Sequence, residues 1–153
     1  VSQNNSNLNY EDRIIQFKHS FKKTLIELSE NNKIILIYPL PKPPIHISRH
    51  IINNFHKGLL NQEDYFEKDP VNYKKEIYIK ENEKIINLFD EISSANIFKI
   101  KTKDLFCPND KCIFYNNSVA YFFDDTHLSY KGSEKVNDLI LKKINEIENN
   151  NLN

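Results

Sequence analysis

The stretch Phe122-Phe123-Asp124-Asp125-Thr126-His127-Leu128-Ser129-Tyr130-Lys131-Gly132 joins the end of an apolar run to the start of a helix. Strand, tight loop, helix is the grammar of an α/β domain. Inside the loop, Asp124 and His127 are three residues apart, close enough in a turn for the carboxylate to bond imidazole Nδ1. Such a bond fixes the tautomer, aims Nε2 outward and stabilises the imidazolium formed in general-base catalysis. Leu128 is placed to anchor the turn, Ser129 to cap the following helix, and Gly132 to let the chain pass close to its neighbours. The plain alternative is a turn aspartate and a helix-capping histidine. An Asp-x-x-His pair alone arises often by chance, so its weight comes from the setting between strand and terminal helix.

Working outward, Lys131 to Glu148 predicts that helix, with Val136, Leu139, Ile140, Ile144 and Ile147 on its buried face. Upstream, Ile113 to Tyr115 and Val119 to Phe123, separated by Asn116-Asn117, predict a β-hairpin or a pair of short strands. At the other end, Ile14, Phe17, Phe21, Leu25 and Leu28 recur at helical spacing between Tyr10 and Asn31. Lys33 to Tyr38 then reads as a buried strand of a parallel sheet. Pro39, Pro41, Pro43 and Pro44 forbid both helix and central strand, so a rigid loop leaves that strand. It leaves from the C-terminal end, where α/β sheets usually place ligands. Helical character returns over residues 48–60 and again from Asp69 to Ile92, where Ile77, Ile85, Leu88, Phe89 and Ile92 predict the packed face. Ile97 to Ile100 is a second short strand.

The bulk numbers exclude much. Lys plus Arg and Asp plus Glu are each 21, which argues against a dedicated nucleic-acid binder. Only Gly58 and Gly132 occur, too few for a dinucleotide loop, a Walker A loop or a Gly-x-Ser-x-Gly elbow. No segment approaches the ~18 apolar residues of a membrane span. Residues 1–9 read as a disordered leader or linker without a signal peptide, and 149–153 as a frayed tail. Cys107 and Cys112 flank Pro108-Asn109-Asp110-Lys111, turn-forming chemistry that can bring the sulfurs together or leave two reduced cysteines.

Three features together resemble the SGNH (GDSL-like) hydrolase domain, most closely the form fused to bacterial acyltransferase family 3 membrane proteins. They are the Lys33–Tyr38 strand ending in Pro39-Leu40-Pro41, the Cys107-Pro108-x-x-x-Cys112 loop, and Tyr121 to Ser129. The resemblance runs from about Tyr10 onward and maps to the later, C-terminal part of the family domain, so residues 10–148 are expected to form that part. It implies a partial three-layer α/β/α (flavodoxin-like) fold with a mainly parallel sheet. It places the family's catalytic Asp on Asp124 and its catalytic His on His127, with Asp125 the lesser candidate. It also favours a Cys107–Cys112 disulfide. No Gly-Asp-Ser block occurs, so the nucleophile is expected upstream, and this stretch alone is not expected to be catalytically competent.

The function implied is O-acylation of cell-envelope glycans, with acetyl the expected group and ester hydrolysis the related outcome. The acyl group would come from a membrane acyltransferase domain of the same or a neighbouring chain, on the extracytoplasmic side of the membrane. No cofactor and no nucleic acid are implied. The rival is a non-catalytic glycan- or partner-binding module on the same fold. A third reading, a zinc set of His46, His50, Cys107 and Cys112, is weakened by the distance in sequence between the two pairs. His19 and His56 read as surface residues, the aromatic residues as core, and Tyr130 as a possible neighbour of the site.

Overall fold

The computed structural model describes residues 9–62, 65–69, 71–116 and 119–149. All but the inner ends of the expected leader and tail lie outside these residues, as do hairpin turn positions 117 and 118. Helix α1, Tyr10–Ser29, begins where Asn9 Oδ1 accepts the Asp12 N–H at 2.9 Å. Glu11 and Asp12 set negative charge against its N-terminal dipole. Strand β1, Ile34–Ile37, follows and pairs in parallel with β2, Ile97–Ile100, so that Ile34 lies beside Ile97 and Ile37 beside Ile100. Parallel neighbours need a long crossover, and residues 38–96 supply it.

That crossover holds helix α2 (Ile47–His56), a 3₁₀ turn (Leu59–Asn61), the short helix α3 (Tyr65–Lys68) and helix α4 (Lys75–Glu91). The single helix expected over residues 48–60 is cut by Gly58, which sits at φ 68°, a left-handed turn that glycine adopts without strain. The helix expected from Asp69 begins six residues later. Asp69 precedes Pro70, and the residue before a proline is pushed out of the helical region. Helix α5 (Lys103–Phe106) and helix α6 (Tyr130–Asn149) complete the order. Among the described residues no helix is long and apolar enough to cross a membrane.

Two apolar clusters hold the fold. The first joins Leu36, Leu88, Ile92 and Ile97, with Phe21, Leu25, Ile34 and Phe89 packed on it, so α1 and α4 cover the sheet together. Phe21 and Phe89 stack at 6.0 Å. The expected helix faces need correction at their margins. Phe17 and Leu28 are half-exposed, as are Ile77 and Ile85, while Tyr78 is buried in their place. A two-stranded sheet offers too narrow a platform to bury a whole amphipathic stripe. The second cluster gathers Ile47, Val71, Tyr78, Phe106, Phe114, Tyr115 and Phe122 around the Cys107–Cys112 disulfide.

The expected hairpin survives as one antiparallel bridge, Tyr115 with Ala120, supported by Tyr121 N–H donating to the Phe114 carbonyl at 2.9 Å. A second bridge, Phe122 with Leu128, closes the Asp-x-x-His loop at its base. The architecture is thus a partial α/β fold on a small parallel sheet. The proline segment packs as a rigid loop: Pro41 and Pro43 are fully buried. The Pro39 carbonyl accepts from Thr102 Oγ1 at 2.6 Å and from the Tyr78 hydroxyl at 2.8 Å.

Candidate active site

The site begins with one carboxylate. Asp124 Oδ1 accepts the backbone N–H groups of Thr126 and His127, each at 2.7 Å, which closes the turn. Its other oxygen, Oδ2, lies 2.8 Å from His127 Nδ1. The three-residue spacing is what allows both: an Asx turn brings residue i+3 back over the carboxylate of residue i. Thr126 Oγ1 donates to Asp124 Oδ1 at 3.1 Å and lies 3.1 Å from His127 Nδ1. The backbone N–H of Thr126, then the imidazole and backbone of His127, hold the Asp124 carboxyl well below the usual carboxylate range. Asp124 is therefore an anion at neutral pH.

With Nδ1 engaged, Nε2 is the free nitrogen. The His127 side chain is 77 % exposed, so the ring stands in solvent rather than inside packing. Among the described residues no hydroxyl is hydrogen-bonded to Nε2. Asp125 lies 3.9 Å from Lys42 Nζ, and it is Asp124, not Asp125, that is hydrogen-bonded to the imidazole.

The loop is held from three sides. Phe123 N–H donates to the His127 carbonyl at 2.8 Å. The Phe123 carbonyl accepts twice from Ser48, from its N–H at 3.0 Å and its hydroxyl at 2.5 Å. The His46 ring lies 5.8 Å from that of Phe123, and its Nδ1 accepts the Arg49 N–H at the start of α2. On the far side, Ser129 caps α6: its hydroxyl accepts the Gly132 N–H at 3.1 Å and donates to the Ala120 carbonyl at 2.5 Å. Ser129 is thereby committed as a cap. Gly132 is required, because a Cβ there would stand 1.9 Å from the Tyr121 carbonyl oxygen. Tyr130 is 79 % exposed, beside Lys131.

A second aspartate–histidine pair lies in the crossover. His50 Nε2 is 2.8 Å from Asp69 Oδ2, and Asn54 Nδ2 is 2.9 Å from the same nitrogen. Tyr115 donates its hydroxyl to Asp69 Oδ2, the Tyr65 and Tyr115 hydroxyls lie 2.8 Å apart, and Asn54 reaches Tyr65. Val71 N–H donates to Asp69 Oδ1 at 2.9 Å. Burial pushes the Asp69 carboxyl up, but the hydrogen bonds from Tyr115, Tyr65, His50 and Val71 outweigh it and hold it below its ordinary value. The sequence gives little warning of this cluster. Its one signal is an aspartate before a proline, which cannot sit mid-helix.

The zinc reading is overturned. Cys107 and Cys112 are bonded to each other, His50 is turned to Asp69, and His46 caps α2. Among the described residues no three metal-ligating side chains come together. His19 and His56 are exposed, as expected.

Comparison with known proteins adds one positive finding. A family model of the SGNH domain fused to AT3 domains matches residues 2–142. No curated protein and no solved structure matches the chain significantly. A match over nearly the whole chain, on a partial α/β fold, decides the affiliation: the chain belongs to the SGNH domains that occur fused to AT3 domains, a module of the acyltransferase and esterase type.

Proposed function

We propose that Asp124 and His127 are the orienting carboxylate and the general base of an acyl-transfer site whose serine nucleophile lies outside this sequence. The observation that carries the reading is the 2.8 Å bond from Asp124 Oδ2 to His127 Nδ1, with Nε2 left open on an exposed ring. His127 Nε2 takes the proton of the serine hydroxyl as its oxygen attacks the acyl carbonyl carbon, and returns it to the departing group as the old ester bond breaks. In the second half the acceptor hydroxyl gives its proton to Nε2 while its oxygen bonds the acyl carbon. The serine leaves and recovers a proton. Asp124 holds the ring throughout. Water in place of the acceptor makes the same site an esterase.

The acceptor we propose is a hydroxyl of a cell-envelope glycan and the acyl group acetyl, delivered by a membrane acyltransferase domain to the extracytoplasmic side. Family membership supports this reading, since these SGNH domains occur fused to AT3 domains. The test is to express the full-length gene with His127→Ala and to measure O-acylation of the envelope. Loss of acylation with normal protein levels is expected; unchanged acylation defeats the assignment. A second reading, a binding module that keeps the fold without catalysis, predicts that unchanged result.

A further inference from the structure

Between the proline loop and the first turns of α4 lies a cleft of about 380 Å³, within the range of small-ligand sites. One wall of it is the loop that follows the C-terminal end of β1, the end of a parallel sheet at which ligands usually bind. Asp125, the immediate neighbour of Asp124, lines it, and the Asp125–Lys42 contact at 3.9 Å ties the catalytic loop to the proline loop.

Its chemistry is mixed in a particular way. Pro44 and Ile77 line it, both exposed, and give apolar surface of the kind that packs on the C–H face of a ring. Lys42, Asp125 and Glu81 set an ammonium and two carboxylates around that surface, groups that donate to and accept from hydroxyls. Tyr73 also lines the cleft, half-buried between the proline loop and α4. The three charged groups sum to one net negative charge at neutral pH. An acyl chain would want an apolar lining throughout, and a phosphate or carboxylate would meet Glu81 and Asp125.

We propose that this cleft is the acceptor subsite and that it takes a neutral, polyhydroxylated sugar ring in preference to an acidic one. The inference rests on the acyl-transfer reading of Asp124 and His127, and it names the acceptor class for that site. Two carboxylates and an ammonium hold ring hydroxyls, the ring's C–H face lies on Pro44 and Ile77, and one hydroxyl faces the loop that carries His127.

The test is binding rather than turnover, so that it fails or succeeds independently of catalysis. The full-length protein is titrated with a neutral glucose trisaccharide and with the corresponding glucuronic acid trisaccharide, followed by saturation-transfer NMR. The neutral sugar is expected to bind more tightly. Glu81→Gln, which keeps size and removes one charge, should narrow the preference by about fivefold, the effect of one unit charge a few ångströms away in solvent. Ile77→Glu, at a half-exposed position, should abolish neutral binding with the melting temperature unchanged. His127→Ala should leave binding intact. An absent neutral signal, equal or tighter binding of the acidic sugar, or an Ile77→Glu protein that still binds would each overturn the subsite. Binding that persists while His127→Ala leaves acylation untouched would instead sink the catalytic assignment alone.

Discussion

Two aspartate–histidine pairs sit at the same 2.8 Å separation and are built in opposite ways. Asp124 and His127 are three residues apart, engage through Nδ1, and leave the ring 77 % exposed. Asp69 and His50 come from separate segments, engage through Nε2, and bury the carboxylate to 1 % exposure. In the first pair the bond leaves a nitrogen free to move protons. In the second, Asn54 and Tyr115 crowd the same bond, and the cluster fastens α2 to the residues before α4. The same two side chains make either an open pair, the one we propose is reactive, or a buried tie. What decides is which nitrogen is engaged and how much water reaches the ring.

The largest break in that contrast comes from changing each aspartate. Asp124→Asn keeps an oxygen to close the turn but sets an amide N–H against Nδ1, which favours the wrong tautomer. Acyl transfer by the full-length protein should fall by about 10⁴-fold, the effect of such a change in a serine triad, with thermal unfolding unaltered. Asp69→Ala should do the reverse, costing roughly 3 to 5 kcal/mol of unfolding free energy, because it strands buried donors around an empty position. Urea unfolding measures it, and a loss under 1 kcal/mol would mean the buried cluster is not a tie.

The acid limb sharpens the same point. The Asp69 carboxyl titrates below its ordinary 3.8 in the folded protein, so its contribution is full above about pH 4 and is lost as pH falls through the folded value. Unfolding titrations of wild type and Asp69→Asn from pH 6 to pH 2 should therefore converge at the acid end. Reducing Cys107–Cys112 comes next, since closing so short a loop is worth roughly 2 kcal/mol. Its midpoint shift in denaturant should appear without loss of the Asp124–His127 geometry. The smallest effect is expected from Ser48→Ala, which removes one of two hydrogen bonds to the Phe123 carbonyl. A fall in kcat of about fivefold, with KM steady and Ser48→Thr restoring the rate, corresponds to one ordinary hydrogen bond of about 1 kcal/mol.

The contrast also explains what could be read from residues alone. Asp124, His127, Ser129 and Gly132 act over a few positions, and their spacing carries the whole instruction for loop, cap and helix entry. Strands β1 and β2 announced themselves as short β-branched runs bounded by turn residues. Asp69, His50 and Tyr115 meet only because the crossover folds back, and no local pattern encodes a contact across 46 positions such as Tyr115 to Asp69. Ser48 was legible as part of a helical stretch but not as a clasp on Phe123, for the same reason. The helix faces failed at Phe17, Leu28, Ile77 and Ile85 because periodicity gives a stripe and not the width of what covers it.

Gly132 carries one last consequence. With the Tyr121 oxygen already occupying the space a methyl group would need, any other residue there must drive the helix back from the segment leading into the loop. Alanine, the mildest replacement in an ordinary helix, would thus be a severe one here. A chain that shows Asp-x-x-His followed five positions later by a bulky residue must seat its terminal helix differently, and the single missing side chain becomes a criterion for telling the two apart.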